Sequence, residues 1–88
     1  MIARHLIIHG RVQGVFYRDW TVKTARSLGL AGWVRNLPDG TLEAHVEGPE
    51  DRIGQLIAAM SEGPPRAAPT RIDRREARPE GLATFTRS

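Results

Sequence analysis

Two kinds of hydrophobic spacing alternate along this chain, and their order limits the folds open to it. Apolar residues at every second position are typical of β-strands, whereas spacings of three and four are typical of amphipathic helices. Spacing of the first kind covers Arg4–His9, Leu30–Leu37, Thr41–Glu47, Arg71–Ala77 and Leu82–Thr86. Spacing of the second kind covers Val15–Leu28 and the segment from Gly48 to Gly63. The sequence therefore predicts the order β-α-β-β-α-β, with a short additional strand at the end.

Glycine and proline residues mark the expected boundaries of these elements. Gly10 is expected to end the first strand, and Gly29 stands where a helix commonly stops. The sequence Pro38-Asp39-Gly40 is typical of a turn, and it would join two strands into a β-hairpin. A segment rich in proline, alanine and arginine predicts a loop that ends at Thr70. No linker is long enough to divide the chain, so we expect a single domain over residues 1–88.

The predicted order matches the split βαβ arrangement. We therefore expect an α+β, ferredoxin-like βαββαβ sandwich, in which an antiparallel sheet carries two helices on one face. A chain of 88 residues buries enough surface for one hydrophobic core. A fold of this kind serves many functions, so the function must be argued from the residues of a site.

Composition excludes several classes of protein. The chain has no cysteine, which excludes disulfides, thiolate metal sites and a cysteine nucleophile. No apolar run approaches about 20 residues, so no membrane span is expected, and the absence of a signal-peptide pattern favours the cytoplasm.

The net charge of +3 comes from the last third, which has six arginines against three acidic residues. That region holds one aromatic residue, Phe85, so a nucleic-acid partner is not expected.

The segment Gly10–Arg18, with the sequence GRVQGVFYR, links the first strand to the first helix. Gly10 and Gly14 permit backbone conformations in which successive N–H groups converge on an anion. The start of the helix adds unpaired donors and the positive end of its dipole. Arg18, in the first turn, can direct a guanidinium to the same point. The segment predicts a phosphate cradle, although spacing alone leaves a plain strand-to-helix turn as an alternative.

The segment Gly32–Gly40, with the sequence GWVRNLPDG, is the second candidate. Asn36 lies at the end of a strand before a tight turn, where an asparagine commonly bonds the local backbone. Trp33 and Arg35 should point to the opposite sheet face from Asn36, because side chains alternate along a strand. We expect Asp39 to serve the turn.

Together, these two segments closely resemble the signature segments of the acylphosphatase family. The family has a G-x-V-Q-G-V-x-F/Y-R-like loop and a G-W-V-x-N segment that leads into a polar turn. Gly10–Arg18 and Gly32–Asn36 match them in order and at the expected separation. The resemblance extends over essentially the whole chain through Leu28–Leu30, Asp39–Thr41, Val46–Gly48, Gly63–Pro65 and Arg71–Asp73. Two departures are Tyr17, where the family often has phenylalanine, and residues 66–70, which look longer than the usual link.

The resemblance implies hydrolysis of the carboxyl–phosphate bond of acyl phosphates, without a metal or an organic cofactor. Arg18 would bind the phosphate and Asn36 would position the attacking water. The implied substrate-binding residues, through their backbone N–H groups, are Gln13, Gly14, Val15, Phe16, Tyr17 and Arg18. The partners would be a small acyl phosphate and its product, inorganic phosphate, which would also inhibit. We expect a monomer.

Other interpretations stay open at this point. The chain could be a non-catalytic phosphate- or RNA-binding module with the same fold, or a domain that serves a larger maturation enzyme. His5 and His9 are four strand residues apart, about 13 Å, which is too far to share one metal ion, and His45 stands alone in the hairpin. Asp19, in the first turn of a helix, is expected to complement the helix dipole.

Overall fold

The computed structural model describes all 88 residues and contains five strands and two helices. The strands are β1 (Ile2–Arg11), β2 (Ala31–Asn36), β3 (Leu42–Gly48), β4 (Ala68–Ala77) and β5 (Phe85–Arg87). The helices are α1 (Tyr17–Ser27) and α2 (Glu50–Glu62). Neither helix has the length and apolar character that crossing a membrane requires.

All five strands form one sheet in the order β4-β1-β3-β2-β5. Neighbours among β4, β1, β3 and β2 are antiparallel, whereas β5 runs parallel to β2. Both helices pack on the same face of the sheet and contact each other. The predicted ferredoxin-like βαββαβ sandwich is confirmed, with the difference that the short fifth strand makes the sheet mixed rather than wholly antiparallel.

The core lies between the sheet and the helices and follows the predicted spacings. Alternate residues of the strands face the helices, and these side chains are buried: Leu6, Ile8, Val34, Leu42, Ala44 and Val46. From α2, the i, i+3, i+4, i+7 stripe supplies Ile53, Leu56, Ile57 and Met60. Tyr17 enters from α1, and its hydroxyl donates to the carbonyl of Met60, so its polar end is paired although the ring is buried.

Two predicted boundaries are wrong, and one contact explains both. Gly10 does not end β1, because the strand continues to Arg11 through a register shift between His9 and Gly10. A Cβ atom at Gly10 would lie 2.4 Å from the carbonyl oxygen of Ala68, and φ there is +108°. The glycine thus allows the extended β1 to pair closely with the chain after α2. As a result β4 begins at Ala68, within the predicted loop.

The connection from β4 to β5 crosses the sheet face opposite the helices and is held there by Glu47. This side chain is fully buried. Backbone N–H groups of Gly81 and Leu82 donate to its Oε1 atom at 3.2 and 3.3 Å, and the N–H of Glu80 donates to Oε2. His45 Nε2 lies 2.7 Å from the same Oε2. A buried carboxylate is tolerated when its oxygens are fully hydrogen-bonded, as they are here.

These bonds position the end of the chain. Because residues 80–82 are tied to β3, the following residues reach the free edge of β2 and pair with it as β5. Phe85 is then fully buried and lies against Gly32. A Cβ atom at Gly32 would lie 1.9 Å from the carbonyl oxygen of His45 and 2.9 Å from the Phe85 ring, so this close packing requires a glycine.

Replacing Glu47 by Gln should lower the free energy of unfolding by about 1.5–3 kcal/mol, the usual contribution of hydrogen bonds to a charged group. The amide nitrogen of Gln would present donors where the backbone N–H groups need acceptors. Urea unfolding at neutral pH measures the change. Glu76→Gln, on the exposed part of β4, is the matched control and should unfold like the wild type.

The same carboxylate should make stability depend on pH. Burial acts to raise the pKa of Glu47, but the N–H groups of Glu80 and Leu82 and the His45 ring outweigh it and lower the pKa below its ordinary 4.5. A carboxyl with a lowered folded-state pKa contributes stability above the unfolded value, which is lost as pH falls through the folded value. The stability difference between wild type and Glu47→Gln should therefore shrink below pH 4.5. An equal difference at pH 7 and in acid would contradict this assignment.

Candidate active site

A pocket opens where the loop between β1 and α1 meets the end of β2 and the end of the chain. Its volume is about 290 Å³. The residues that line it are Val12, Gly14, Phe16, Tyr17, Arg18, Asp19, Asn36 and Arg87. The two residues that carry the predicted chemistry, Arg18 and Asn36, therefore lie in one pocket although they are far apart in sequence.

The loop presents a row of unpaired backbone donors. Gly14 and Phe16 both have left-handed conformations, with φ of 73° and 61°. No backbone N–H between Gly14 and Asp19 donates to a backbone carbonyl, and no side chain caps the N-terminus of α1. Left-handed residues between right-handed ones turn successive N–H groups toward one point, which makes an anion-binding concavity. The start of α1 adds its dipole at the same place.

Two arginines and one aspartate supply the charge of the pocket. Arg18 is half-buried, and its Nη1 donates to the main-chain oxygen of Ser88 at 2.5 Å. Arg87 pairs with Asp19, with its Nε 2.7 Å from Oδ1. The Asp19 charge is thus matched by Arg87, whereas the guanidinium of Arg18 contacts no acidic side chain. A guanidinium can donate to two phosphate oxygens at once.

Asn36 ends β2 and is exposed to the pocket. The turn after it is closed by the N–H of Leu37, which donates to the carbonyl of Thr41 at 2.9 Å. Asp39 accepts hydrogen bonds from the side chain and the backbone N–H of Thr41, and these bonds lower the pKa of its carboxyl. The predicted role of Asp39 in the turn is confirmed.

Gln13 joins the two walls of the pocket. Its side-chain amide donates to the carbonyls of Leu37 and Thr41 at 2.8 and 2.9 Å, so the loop is tied to the turn that follows Asn36. The side chain of Gln13 therefore points away from the pocket, and that of Val15 is buried in the core. For Gln13 and Val15, the backbone N–H group is therefore the only part that can take the predicted substrate-binding role.

The sequence did not reveal every residue of the pocket. Asp19 was expected only to complement the helix dipole, and Arg87 and Ser88 were assigned no role. Their presence depends on the parallel pairing of β5 with β2, for which the local sequence carries no signal. The spacing over Leu82–Thr86 predicts a short strand there, but it does not indicate which edge of the sheet that strand joins.

The opposite face of the sheet carries charged residues that are already paired. Arg35 contacts Glu43 at 2.6 Å and lies 5.3 Å from the centre of the Trp33 ring, away from the pocket as expected. His5 bonds Glu43, whose pKa this contact lowers, and His9 bonds Asp73.

One group on that face has the composition of a metal site. Ligand atoms of His45, Glu47 and Glu80 lie within 4.8 Å of one another. Each oxygen of Glu47, however, already accepts two hydrogen bonds, which uses the acceptor capacity of a carboxylate. The group therefore fits a structural role better than a metal.

Comparison with known proteins gives a consistent answer. The family model described as Acylphosphatase matches residues 4–86. The chain is 52% identical over 99% of its length to an acylphosphatase of Acidiphilium cryptum, covering 96% of that protein. It is 50% identical over 96% of its length to an acylphosphatase of Thermococcus kodakarensis, covering 92% of that protein. Its structure is similar to the crystal structure of acylphosphatase from Bacillus subtilis, with a TM-score of 0.96 and 37% identity, over 100% of this chain and 99% of that one.

The match includes both segments that form the pocket, since residues 4–86 contain the loop up to Arg18 and the strand that ends at Asn36. With the fold, the pocket and nearly full-length relatives in agreement, the chain belongs to the acylphosphatase family.

Proposed function

We propose that this protein is an acylphosphatase that hydrolyses the carboxyl–phosphate bond of acyl phosphates, with Arg18 and Asn36 as its catalytic residues. The observation that carries the proposal is a pocket that brings together Arg18, Asn36 and the loop whose N–H groups, from residue 14 to residue 19, have no backbone acceptor. Membership of the acylphosphatase family gives the reaction class.

The phosphate group would be held by the loop and by Arg18. Backbone N–H groups from Gly14 to Arg18 donate to its oxygens, and the guanidinium of Arg18 bridges two of them. These donors are fixed before the substrate arrives, so little reorganisation is needed as charge develops on the phosphoryl oxygens. The backbone N–H groups of Gln13 and Val15 complete the substrate-binding set in this proposal.

Asn36 would hold the water that attacks phosphorus. A carboxamide has no useful basicity, but its oxygen can accept a hydrogen bond from the attacking water and so fix the position of that water. The water oxygen forms a bond to phosphorus as the bond from phosphorus to the acyl oxygen breaks, and the carboxylate leaves with the electron pair. One water proton passes to a phosphoryl oxygen, so the products are a carboxylate and dihydrogen phosphate.

No strong base is required, because the leaving carboxylate is a weak base. Positioning of water and phosphate, with electrostatic stabilisation, supplies the rate enhancement. The tie from Gln13 to the turn after Asn36 supports this mechanism, since it fixes the separation between the phosphate donors and the water-positioning group.

Several finer statements stay predictions. We propose that residues 1–88 act as a single domain, supported by one continuous core and by relatives of nearly the same length. A monomer, a cytoplasmic location, inorganic phosphate as an inhibitor and independence from cofactors are also predicted.

Replacing Arg18 by Gln should lower kcat/KM for a simple acyl phosphate by about 100-fold or more, as the loss of a preorganised donor does elsewhere. Inhibition by inorganic phosphate should weaken as well, because the same guanidinium binds the product. Steady-state kinetics with acetyl phosphate measures both. Arg66→Gln removes the same charge from an exposed residue outside the pocket and should behave like the wild type.

Replacing Asn36 by Ala should lower kcat by about 100-fold, because a misplaced nucleophile costs this much, while the Ki for inorganic phosphate changes little. Asn36→Asp keeps the shape of the side chain but places a negative charge beside the phosphate, so its Ki should rise. If Asn36→Ala weakened phosphate binding as much as it slowed turnover, the residue would bind phosphate rather than position water.

The decisive experiment is hydrolysis of acetyl phosphate by the purified protein in excess EDTA. Turnover that persists with EDTA and is lost in Arg18→Gln would establish both the reaction and the anion site. A folded wild type that binds phosphate without turnover would instead indicate the binding module, and a nucleic acid would be the next ligand to test.

A further inference from the structure

Phe16 is placed where the fold gains nothing from its side chain. Its residue surface is 73% exposed, and the only other large hydrophobic residue left exposed is Met1 at the chain terminus. An isolated exposed apolar side chain is common on protein surfaces. Phe16, however, also lines the pocket that holds Arg18 and Asn36.

The backbone of Phe16 is unusual as well. Its φ and ψ are 61° and 25°, and it is the only residue other than glycine with a positive φ. This left-handed region is unfavourable for a bulky side chain, whereas glycine adopts it readily. The loop geometry therefore favours glycine at this position, and yet the chain carries an exposed aromatic ring there. Strained backbone of this kind concentrates at functional sites.

The other hydrophobic side chains that line the pocket are buried. Val12 and Tyr17 line it, but both are only 1% exposed, and Gly14 has no side chain. The other lining residues are charged or polar: Arg18, Asp19, Asn36 and Arg87. Phe16 is thus the one apolar side chain that a ligand in the pocket can contact.

We propose that the ring of Phe16 is the contact surface for the acyl group and makes the enzyme prefer acyl phosphates with an aromatic or bulky apolar acyl group. This inference rests on the proposed function. A phosphate bound by the N–H groups of the loop is held by the same segment that carries Phe16, so the attached acyl group extends within reach of the ring. Burial of the ring against an apolar acyl group removes apolar surface of both from water.

The test compares benzoyl phosphate with acetyl phosphate, using kcat/KM for each. Phe16→Ala should lower the ratio of benzoyl to acetyl phosphate activity by about two- to tenfold, the range expected when one aromatic contact is lost. Because the ratio of the variant is compared with that of the wild type, the different intrinsic reactivities of the two substrates cancel. The loss should appear mainly in KM for benzoyl phosphate, because the contact exists before and during the reaction.

Two further variants distinguish an effect of the Phe16 ring from an effect of the loop conformation. Phe16→Asn adopts positive φ readily and removes the ring, so it should lose selectivity while it keeps the Ki for inorganic phosphate. Phe16→Trp keeps an aromatic side chain and should keep the ratio of benzoyl to acetyl phosphate activity near the wild-type value. A ratio that stays at the wild-type value in both Phe16→Ala and Phe16→Asn would overturn the inference.

The outcomes also distinguish failure of this inference from failure of the proposed function. If the wild type hydrolyses neither substrate, the proposed function is wrong. If it hydrolyses both and every Phe16 variant slows them equally, acylphosphatase activity stands and Phe16 acts only through the loop conformation.

Discussion

The carboxylate of Glu47 ties the connection between β4 and β5 to the strand β3. It lies on the sheet face away from the helices, and it binds three consecutive backbone N–H groups of the connection between β4 and β5. That tie directs the last residues to the free edge of β2, where Phe85 completes the core and Arg87 reaches the pocket. The shape of the pocket thus depends on a buried charge at the other face of the sheet. A buried ion is costly unless all its polar atoms are hydrogen-bonded. Both oxygens of Glu47 meet that condition, because each accepts two hydrogen bonds.

The pocket itself is built mainly from backbone. Gly14 and Phe16 have positive φ, the N–H groups of this loop have no backbone acceptor, and the start of α1 follows at once. Arg18 and Asn36 add side chains from two different elements, and Gln13 ties those elements together. Preorganised donors of this type are most effective when the reaction needs stabilisation of charge rather than a strong base. An acyl phosphate, the mixed anhydride of a carboxylic acid and phosphoric acid, is a substrate with that requirement.

The sequence was most informative where structure is local. Both helices and all five strands follow from hydrophobic spacing, although the last strand lies at Phe85–Arg87 rather than Leu82–Thr86. The turn at Asp39 follows from its residue types. The extension of β1 past Gly10 and the early start of β4 could not be predicted, because each depends on its pairing with the other.

The same limit applies to the candidate site. Arg18 and Asn36 stood out because they lie in two recognisable segments. Arg87 enters the pocket only through a parallel strand pairing. The sequence assigns no role to the side chain of Glu47, because its partners are backbone N–H groups that lie far along the chain.

The strand β4 ends the sheet on one side, and residues 71 and 73–76 along it are all charged. A strand from another molecule that added to this edge would bring its side chains against that row of charges, so the protein is guarded against aggregation through its longest open edge.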